Sequence, residues 1–320
     1  MKNKIIIIGG DPESINSEIL FKSWKKLPTQ IKKKIVVVAN IKLLKNQFKK
    51  LKIKMNIENV EFSLNKNTNR LKVIDVKLKF KNPFKINRNI LQKYVNDSIE
   101  IAHNLAFNNK SIIGIINCPV KKDLLKLKNT GVTELLAAKC SVKDKSEVMV
   151  IRNNKLAVAL ITTHSNIKDV AKIITKSLIV KKIKTIHNYY KRILNKKPRI
   201  AVLGLNPHNA ELRKNSEEVK KIIPAIKELT KMGIKTQGPL VPDTIFINEY
   251  KKFDVIVGMY HDQVLTPFKA MYKFDAINLT LGLNYLRVSP DHGVAINLIG
   301  KNKASENSLL QCIKFINKYG

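Results

Sequence analysis

The chain has 320 residues, of which 44% are hydrophobic, and its 60 Lys and Arg against 24 Asp and Glu give a formal net charge of +36. This length and hydrophobic content exclude an intrinsically disordered protein and favour a globular one with two lobes. No apolar run approaches the roughly 18 residues of a membrane span or forms a signal-peptide core, which predicts a soluble, cytoplasmic protein without a membrane partner.

The positive charge raises the question of nucleic-acid binding. The lysines are spread over nearly every predicted helix, however, and aromatic residues make up only 6% of the chain. Stacking platforms for single strands are therefore scarce. We interpret the charge as a solvated, lysine-biased surface that attracts anionic substrates, and we expect no nucleic-acid partner.

Short β-branched runs alternate along the chain with longer amphipathic segments. The predicted strands cover residues 5–9, 34–39, 112–116, 156–161, 200–205, 255–259 and 276–281. The predicted helices cover residues 89–107, 167–184 and 216–232, with Asn87 as a cap for the first and Asn215 or Ser216 for the third. The Lys- and Asn-rich residues 42–70 are predicted to form a surface excursion. The alternation predicts an α/β protein with a mostly parallel sheet.

The first turn, residues 9–16, lies between a predicted strand and a predicted helix. Such a turn can present backbone N–H groups to a phosphate, or it can simply connect the two elements. It lacks the G-x-G-x-x-G spacing of a Rossmann fingerprint. Both interpretations are therefore open.

Three of the six histidines lie in polar turns that follow predicted strands. They are His164 after residues 156–161, His208 after residues 200–205 and His261 after residues 255–259. Histidines at strand ends can converge, and neutral imidazole is a common ligand of Zn²⁺ and similar ions. A single histidine in such a place is more often a hydrogen-bonded structural residue. The hypothesis of a shared metal site depends on the three together, with Asp262 available to orient His261.

Arg287 closes the largely apolar segment 276–287. A guanidinium in this position suits bidentate binding of a carboxylate or phosphate. A salt-bridged arginine at a sheet edge explains the pattern equally well.

In this order the turns resemble the 4-hydroxythreonine-4-phosphate dehydrogenase family of vitamin B6 biosynthesis. The matching segments are Gly10-Asp11-Pro12 with Glu18, residues 160–170, 204–208, Gly238-Pro239 with Asp243-Thr244, residues 260–263, and residues 278–295. The resemblance covers nearly the whole chain. It implies a two-lobed α/β subunit of three-layer αβα architecture with mixed, mostly parallel sheets, akin to isocitrate and isopropylmalate dehydrogenases. The expected lobes are residues 1–128 with 290–320 on the cofactor side, and residues 129–289 for metal, substrate and dimerisation.

The resemblance also implies the activity. The expected enzyme is an NAD-dependent, oxidatively decarboxylating dehydrogenase that forms a homodimer with its active site at the interface. Its small phosphorylated substrate would be 4-phosphooxy-L-threonine, oxidised at C3 and then decarboxylated to 3-amino-2-oxopropyl phosphate. NADP is the alternative to NAD, and one divalent ion per site, Zn²⁺, Mg²⁺ or Co²⁺, is implied.

Residue roles follow from the same resemblance. The implied metal ligands are His164, His208 and His261. The implied substrate contacts are Thr133, Lys269, Asn278 and Arg287, and the implied cofactor contacts are His292 and Gly293. Asp243 and Lys269 are the expected catalytic residues, and the acceptor of the hydroxyl proton is open between Asp243 and a metal-bound water.

The chain departs from the family pattern at several positions. The usual Gly-His-Thr-Glu segment reads Gly131-Val132-Thr133-Glu134, so Val132 lacks the hydrogen bond of a histidine. Ser14 and Asn16 replace expected glycines, which restricts the approach of a ligand to the backbone. Two further hypotheses are therefore open: a related dehydrogenase for another phosphorylated hydroxy acid such as erythronate-4-phosphate, and a catalytically weakened family member.

Overall fold

The computed structural model describes residues 3–61, 68–125 and 131–320. Its strands are β1 (Lys4–Ile8), β2 (Ile35–Ala39), β3 (Ile57–Asn59), β4 (Leu71–Asp75), β5 (Ile112–Asn117), β6 (Val148–Arg152), β7 (Ala157–Leu160), β8 (Ile200–Leu203), β9 (Thr236–Leu240), β10 (Val255–Gly258), β11 (Ile277–Leu281) and β12 (Arg287–Pro290). Its α-helices are α1 (Asn16–Lys26), α2 (Thr29–Lys32), α3 (Ile41–Lys50), α4 (Arg88–Asn108), α5 (Val132–Lys139), α6 (Ile167–Ile173), α7 (Lys176–Ile193), α8 (Ile223–Lys231), α9 (Pro242–Ile245), α10 (His261–Tyr272) and α11 (Asn307–Tyr319). A π-helical turn, Glu218–Ile222, precedes α8.

The chain folds into two compact units. Unit 1 comprises Met1–Cys140 and Asn284–Gly320, and unit 2 comprises Ser141–Leu283. This division differs from the predicted one, which placed Thr133 and Arg287 in the central lobe. Both belong to unit 1 because β12, which carries Arg287, pairs with β5, and α5 presents the Thr133 hydroxyl to the Arg287 side chain.

Unit 1 contains a parallel sheet in the order β3-β4-β2-β1-β5-β12. Strands β1 and β2 are continuous apolar runs apart from Lys4, and every residue in them is buried. Such runs are typical of parallel sheets that are covered on both faces. Helices α4 and α11 pack against this sheet. The Asn87 side chain caps α4, as predicted, by accepting from the Asn89 N–H.

Unit 2 contains a mixed sheet in the order β11-β6-β7-β10-β8-β9. Strand β6 pairs antiparallel with β11 and with β7, whereas β7, β10, β8 and β9 are parallel neighbours. The hydrophobic core of this unit includes Leu160, Leu203 and Ile256 from the strands and Val264 and Phe268 from α10. Because β7, β10 and β8 run in the same direction, their carboxyl ends lie at one edge of the sheet.

The predicted α/β class and all the predicted strands are confirmed, with ends displaced by one or two residues. The helix predicted over residues 167–184 is instead two helices, because the Thr175 hydroxyl accepts from Leu178 N and begins α7. The helix predicted over residues 216–232 begins with the π-helical turn, and Val219 N donates to Ser216 Oγ at 3.3 Å.

The prediction of a surface excursion over residues 42–70 is wrong for its first part. Residues Ile41–Lys50 form α3, whose Leu43, Leu44 and Phe48 are buried within unit 1. Lysines occupy its solvent side, so composition concealed an amphipathic helix. Residues 62–67 lie outside the described residues. Among the helices of the described ranges, none is long and apolar enough to cross a membrane.

Candidate active site

The three histidine turns of unit 2 are joined by hydrogen bonds at the carboxyl ends of β7, β10 and β8. Thr162 links the His164 turn to the His261 turn, because its N–H and hydroxyl donate to Met259 O at 3.1 and 2.7 Å. Gln263 links the His261 turn to the His208 turn. Its Oε1 accepts from Met259 N at 2.7 Å, and its Nε2 donates to Gly204 O, also at 2.7 Å. The three turns therefore form one connected surface.

His164 and His261 lie next to each other on this surface, with ring centroids 6.0 Å apart. His261 Nδ1 is 2.7 Å from Asp262 Oδ1. When Nδ1 donates to this carboxylate, the Nε2 lone pair is left for a metal, which is the usual arrangement for a metal-binding histidine. The donor chemistry therefore fits a divalent ion such as Zn²⁺.

The described residues do not bring the three predicted histidine ligands into one cluster. Within the described ranges, no three His, Cys, Asp or Glu side chains are grouped so that they could hold a metal ion. His208 lies in the turn after β8, the neighbour of β10. The structure thus brings His164 and His261 together, and the participation of His208 stays a prediction.

The His208 turn is held by Glu218, a residue that sequence reasoning placed only near the start of a helix. Glu218 is fully buried, and its Oε1 accepts from Leu205 N and Asn206 N, each at 2.8 Å. Burial acts to raise the pKa of this carboxyl, but its hydrogen bonds, chiefly from Asn206, outweigh burial and lower the pKa below the ordinary value. Glu218 is therefore an ionised anchor for the turn.

Unit 2 also carries the predicted residues Lys269, Asn278 and Asp243. Lys269 Nζ lies 5.0 Å from the centre of the Phe274 ring. Asn278 Oδ1 is buried, and the described residues offer it no hydrogen-bond partner. Such an unsatisfied buried acceptor is rare and can receive a hydrogen bond from a ligand. Asp243 is exposed in the first turn of α9.

Unit 1 brings two other predicted residues into contact. Arg287 is only 2% exposed; its Nε donates to Asn117 Oδ1 at 2.6 Å, and its Nη1 donates to Thr133 Oγ1 at 3.2 Å. Burial lowers the pKa of Arg287 to about 10, so the guanidinium is charged at neutral pH. Asn117 is not among the site residues predicted from the sequence. Its role as a partner of Arg287 required the pairing of β12 with β5.

The turn after β1, residues 9–16, is held in place by hydrogen bonds from its own side chains. Asn16, which replaces an expected glycine, donates through Nδ2 to Gly9 O at 3.0 Å and to Pro119 O at 2.9 Å. Asp11 is fully buried, and this burial raises its pKa, although Lys121 Nζ lies 3.8 Å from its Oδ2. Asn16 thus ties the turn after β1 to the turn after β5.

The predicted cofactor residues lie in the loop after β12. His292 Nδ1 is 2.9 Å from Gly293 O. The loop reaches the turn after β1, where Ile15 N donates to Val294 O at 3.3 Å. Their role toward NAD stays a prediction.

Comparison with known proteins identifies the family to which the chain belongs. The family model described as pyridoxal phosphate biosynthetic protein PdxA matches residues 31–316. The chain is 36% identical to the 4-hydroxythreonine-4-phosphate dehydrogenase of Sulfurihydrogenibium sp. (strain YO3AOP1), over 97% of this chain and 96% of the relative. It is 30% identical, over 95% of this chain and 94% of the relative, to an Oceanobacillus iheyensis protein whose name proposes a D-threonate 4-phosphate dehydrogenase.

Solved structures agree with this placement. The crystal structure of 4-hydroxythreonine-4-phosphate dehydrogenase from Klebsiella pneumoniae matches with a TM-score of 0.85 and 28% identity, over 99% of this chain and 97% of that chain. Isocitrate dehydrogenase from Methylococcus capsulatus matches with a TM-score of 0.50 and 10% identity, over 98% and 84%, which confirms the predicted fold relationship alone. The chain therefore belongs to the PdxA family of pyridoxal phosphate biosynthetic proteins.

Proposed function

We propose that this protein is a 4-hydroxythreonine-4-phosphate dehydrogenase. It would oxidise 4-phosphooxy-L-threonine at C3 with NAD, or with NADP as the alternative, and release CO₂ to give 3-amino-2-oxopropyl phosphate. Besides family membership, the observation that carries the proposal is the connected surface of three histidine turns at the ends of β7, β10 and β8. A cytoplasmic homodimer with its active site at the interface is part of the same proposal.

The residues of this chain suit the parts of that reaction. His164, His208 and His261 would hold one divalent ion. When bound, the ion supplies a Lewis acid for the hydroxyl that is oxidised and for the charge that develops as CO₂ leaves. Lys269 provides a positive charge for an anionic group of the substrate. Asn278 Oδ1 offers a free acceptor to orient it.

Other polar residues complete the proposed roles. The planar guanidinium of Arg287, held by Thr133, suits a phosphate or carboxylate through paired hydrogen bonds. Asp243 is exposed and available as a general base. His292 and Gly293 would contact the cofactor, whose nicotinamide accepts the hydride.

The metal ligands can be tested by turnover and by fold separately. We expect His208→Ala to lower NADH formation by about 100-fold or more while the circular dichroism spectrum stays unchanged, because the proposed metal site would lose one of its three protein ligands. His187→Ala is the matched control, since His187 lies on α7 of the same unit, outside the three turns. Undiminished turnover of His208→Ala at low metal concentration would refute the triad.

A second candidate function is oxidation of a different phosphorylated hydroxy acid. Val132, the first residue of α5, stands beside Thr133 where the family has a hydrogen-bonding histidine. One relative of the chain carries a name that proposes D-threonate 4-phosphate, another phosphorylated hydroxy acid, as its substrate. We expect higher kcat/KM for 4-phosphooxy-L-threonine than for erythronate 4-phosphate or D-threonate 4-phosphate. A clear preference for either of the last two would replace the first proposal.

A further inference from the structure

We propose that Glu218 is a positioning residue that fixes the turn carrying His208, and so sets the metal affinity of unit 2 without touching the metal. The inference rests on the proposed function, because His208 is a metal ligand only there. It assigns a role to a side chain that the reaction itself does not use.

Glu218 contacts the His208 turn through both carboxylate oxygens. Oε1 accepts from the backbone N–H groups of Leu205 and Asn206 at 2.8 Å each, and Oε2 accepts from Asn206 Nδ2 at 3.0 Å. The side chain is 0% exposed, so water does not compete for these bonds. Hydrogen bonds to an ionised carboxylate are stronger than those between neutral groups. Glu218 therefore fixes the backbone two residues before His208.

The turn needs such an anchor because its conformation is unfavourable. His208 has φ of 49°, and the next four residues have φ between 46° and 54°. In this left-handed region the Cβ of an L-residue crowds the following carbonyl oxygen. Residues keep such angles only where their surroundings fix them. Downstream, Asn209 Nδ2 provides a second anchor by donating to Pro239 O at 3.0 Å.

Gly204 permits the close approach of these anchors to the turn. A Cβ at Gly204 would lie 2.0 Å from Asn209 Oδ1 and 3.2 Å from Glu218 Oε1. The space beside the backbone is therefore filled by the two anchoring side chains. If Glu218 is lost, the turn should relax and His208 should move, because Gly204 has no side chain that could replace the contacts of Glu218.

The neighbouring Glu217 provides a charge-matched control. Among the described residues, the one hydrogen-bond donor to its Oε2 is Asn206 Nδ2, at 3.0 Å, and the Glu217 side chain is partly exposed. Neutralising either carboxylate changes the local charge equally. Only Glu218 bonds to the backbone of the turn.

The experiment measures Co²⁺ binding to the metal-free full-length protein by calorimetry and by the visible absorption of the bound ion. The variants are Glu218→Gln, Glu217→Gln and His208→Ala. In Glu218→Gln one amide N–H₂ must face the donor Asn206 Nδ2. We expect a dissociation constant about 10- to 100-fold higher, the range typical of residues that orient a metal ligand, and an altered absorption spectrum. Glu217→Gln should stay within about threefold of the wild type, because a partly exposed pair contributes little.

Thermal unfolding separates positioning from stability. A wild-type dissociation constant in Glu218→Gln overturns the inference even if the variant melts earlier, because Glu218 would then be merely structural. If Glu218→Gln shows no cooperative unfolding, Glu218→Asp decides. Its shorter side chain cannot keep both sets of contacts, so weaker Co²⁺ binding supports the inference and wild-type binding overturns it.

The His208→Ala arm distinguishes this inference from the proposed function. Weak binding by His208→Ala with normal binding by Glu218→Gln would overturn the role of Glu218 alone. Wild-type binding by His208→Ala would overturn both the metal site and the inference built on it.

Discussion

Replacing Asn117 with leucine should destabilise unit 1, because a buried guanidinium would lose an acceptor. Asn117 is 4% exposed and Arg287 is 2% exposed, and the Nε–Oδ1 distance is 2.6 Å. Leucine has nearly the same shape, so the change removes the hydrogen bond and leaves the packing largely intact. The main effect should therefore be electrostatic.

The size of the effect follows from the burial of the pair. A hydrogen bond to a charged group contributes about 1.5–3 kcal/mol, and the burial of Arg287 leaves little solvent screening to reduce it. At about 2–4 °C per kcal/mol for a domain of this size, the midpoint of thermal unfolding should fall by roughly 3–12 °C. Asn117→Asp keeps an acceptor and should lose less stability than the leucine variant.

Differential scanning calorimetry on the full-length protein measures this change. Asn108→Leu is the control, because Asn108 is exposed at the end of α4 and, within the part of the chain that the structure describes, its side chain donates to Asn104 O alone, at 3.0 Å. Its replacement should change stability by less than about 0.5 kcal/mol. If Asn117→Leu unfolds within about 1 °C of the wild type, the hydrogen bond does not support Arg287 and the reasoning is wrong.

Three other outcomes are expected. The pKa of Asp11 in the folded state lies above its ordinary value of 3.8, so its ionisation costs stability as the pH rises from 3.8 through the raised pKa. In urea denaturation, the wild type should lose stability relative to Asp11→Asn across that pH window, and the difference should be constant above it. Gln263→Leu leaves Met259 N and Gly204 O without their partner, which should cost about 1–3 kcal/mol by urea denaturation and weaken Co²⁺ binding in calorimetry; unchanged binding would show that the turns do not need this link. Asn87→Ala removes the cap of α4 and should cost about 1 kcal/mol in thermal unfolding, and no change would mean that the cap is dispensable.

Much of the fold could be predicted from the sequence because buried parallel strands are continuous apolar runs. Strand β6 carries the same signal in Val148–Ile151 and was nevertheless overlooked. Strand β9 could not be recognised, since Gly238 and Pro239 are unusual inside a strand. The break between α6 and α7 depends on a single hydroxyl, that of Thr175, within an otherwise helical pattern.

The residue types of the candidate site could be predicted from the sequence, but the side chains that hold its turns in place could not. The positions of His164 and His261 after apolar runs suggested convergence, and the two rings do lie side by side. The anchors Gln263 and Glu218 are polar residues inside helical segments, where a pattern predicts solvent exposure. Their burial follows from the order of β7, β10 and β8 in the sheet, which local sequence does not encode.

The discontinuity of unit 1 has a consequence for biosynthesis. Strand β12 and helix α11 belong to Asn284–Gly320, so unit 1 begins first and is completed only after all of unit 2 has been made. Until β12 emerges from the ribosome, one edge of β5 lacks a strand partner, and its Ile115 and Ile116 are open to pairing with other chains. Arg287 arrives with that last strand. We therefore expect a nascent chain halted before β12 to aggregate and to lack the cation that Asn117 and Thr133 hold.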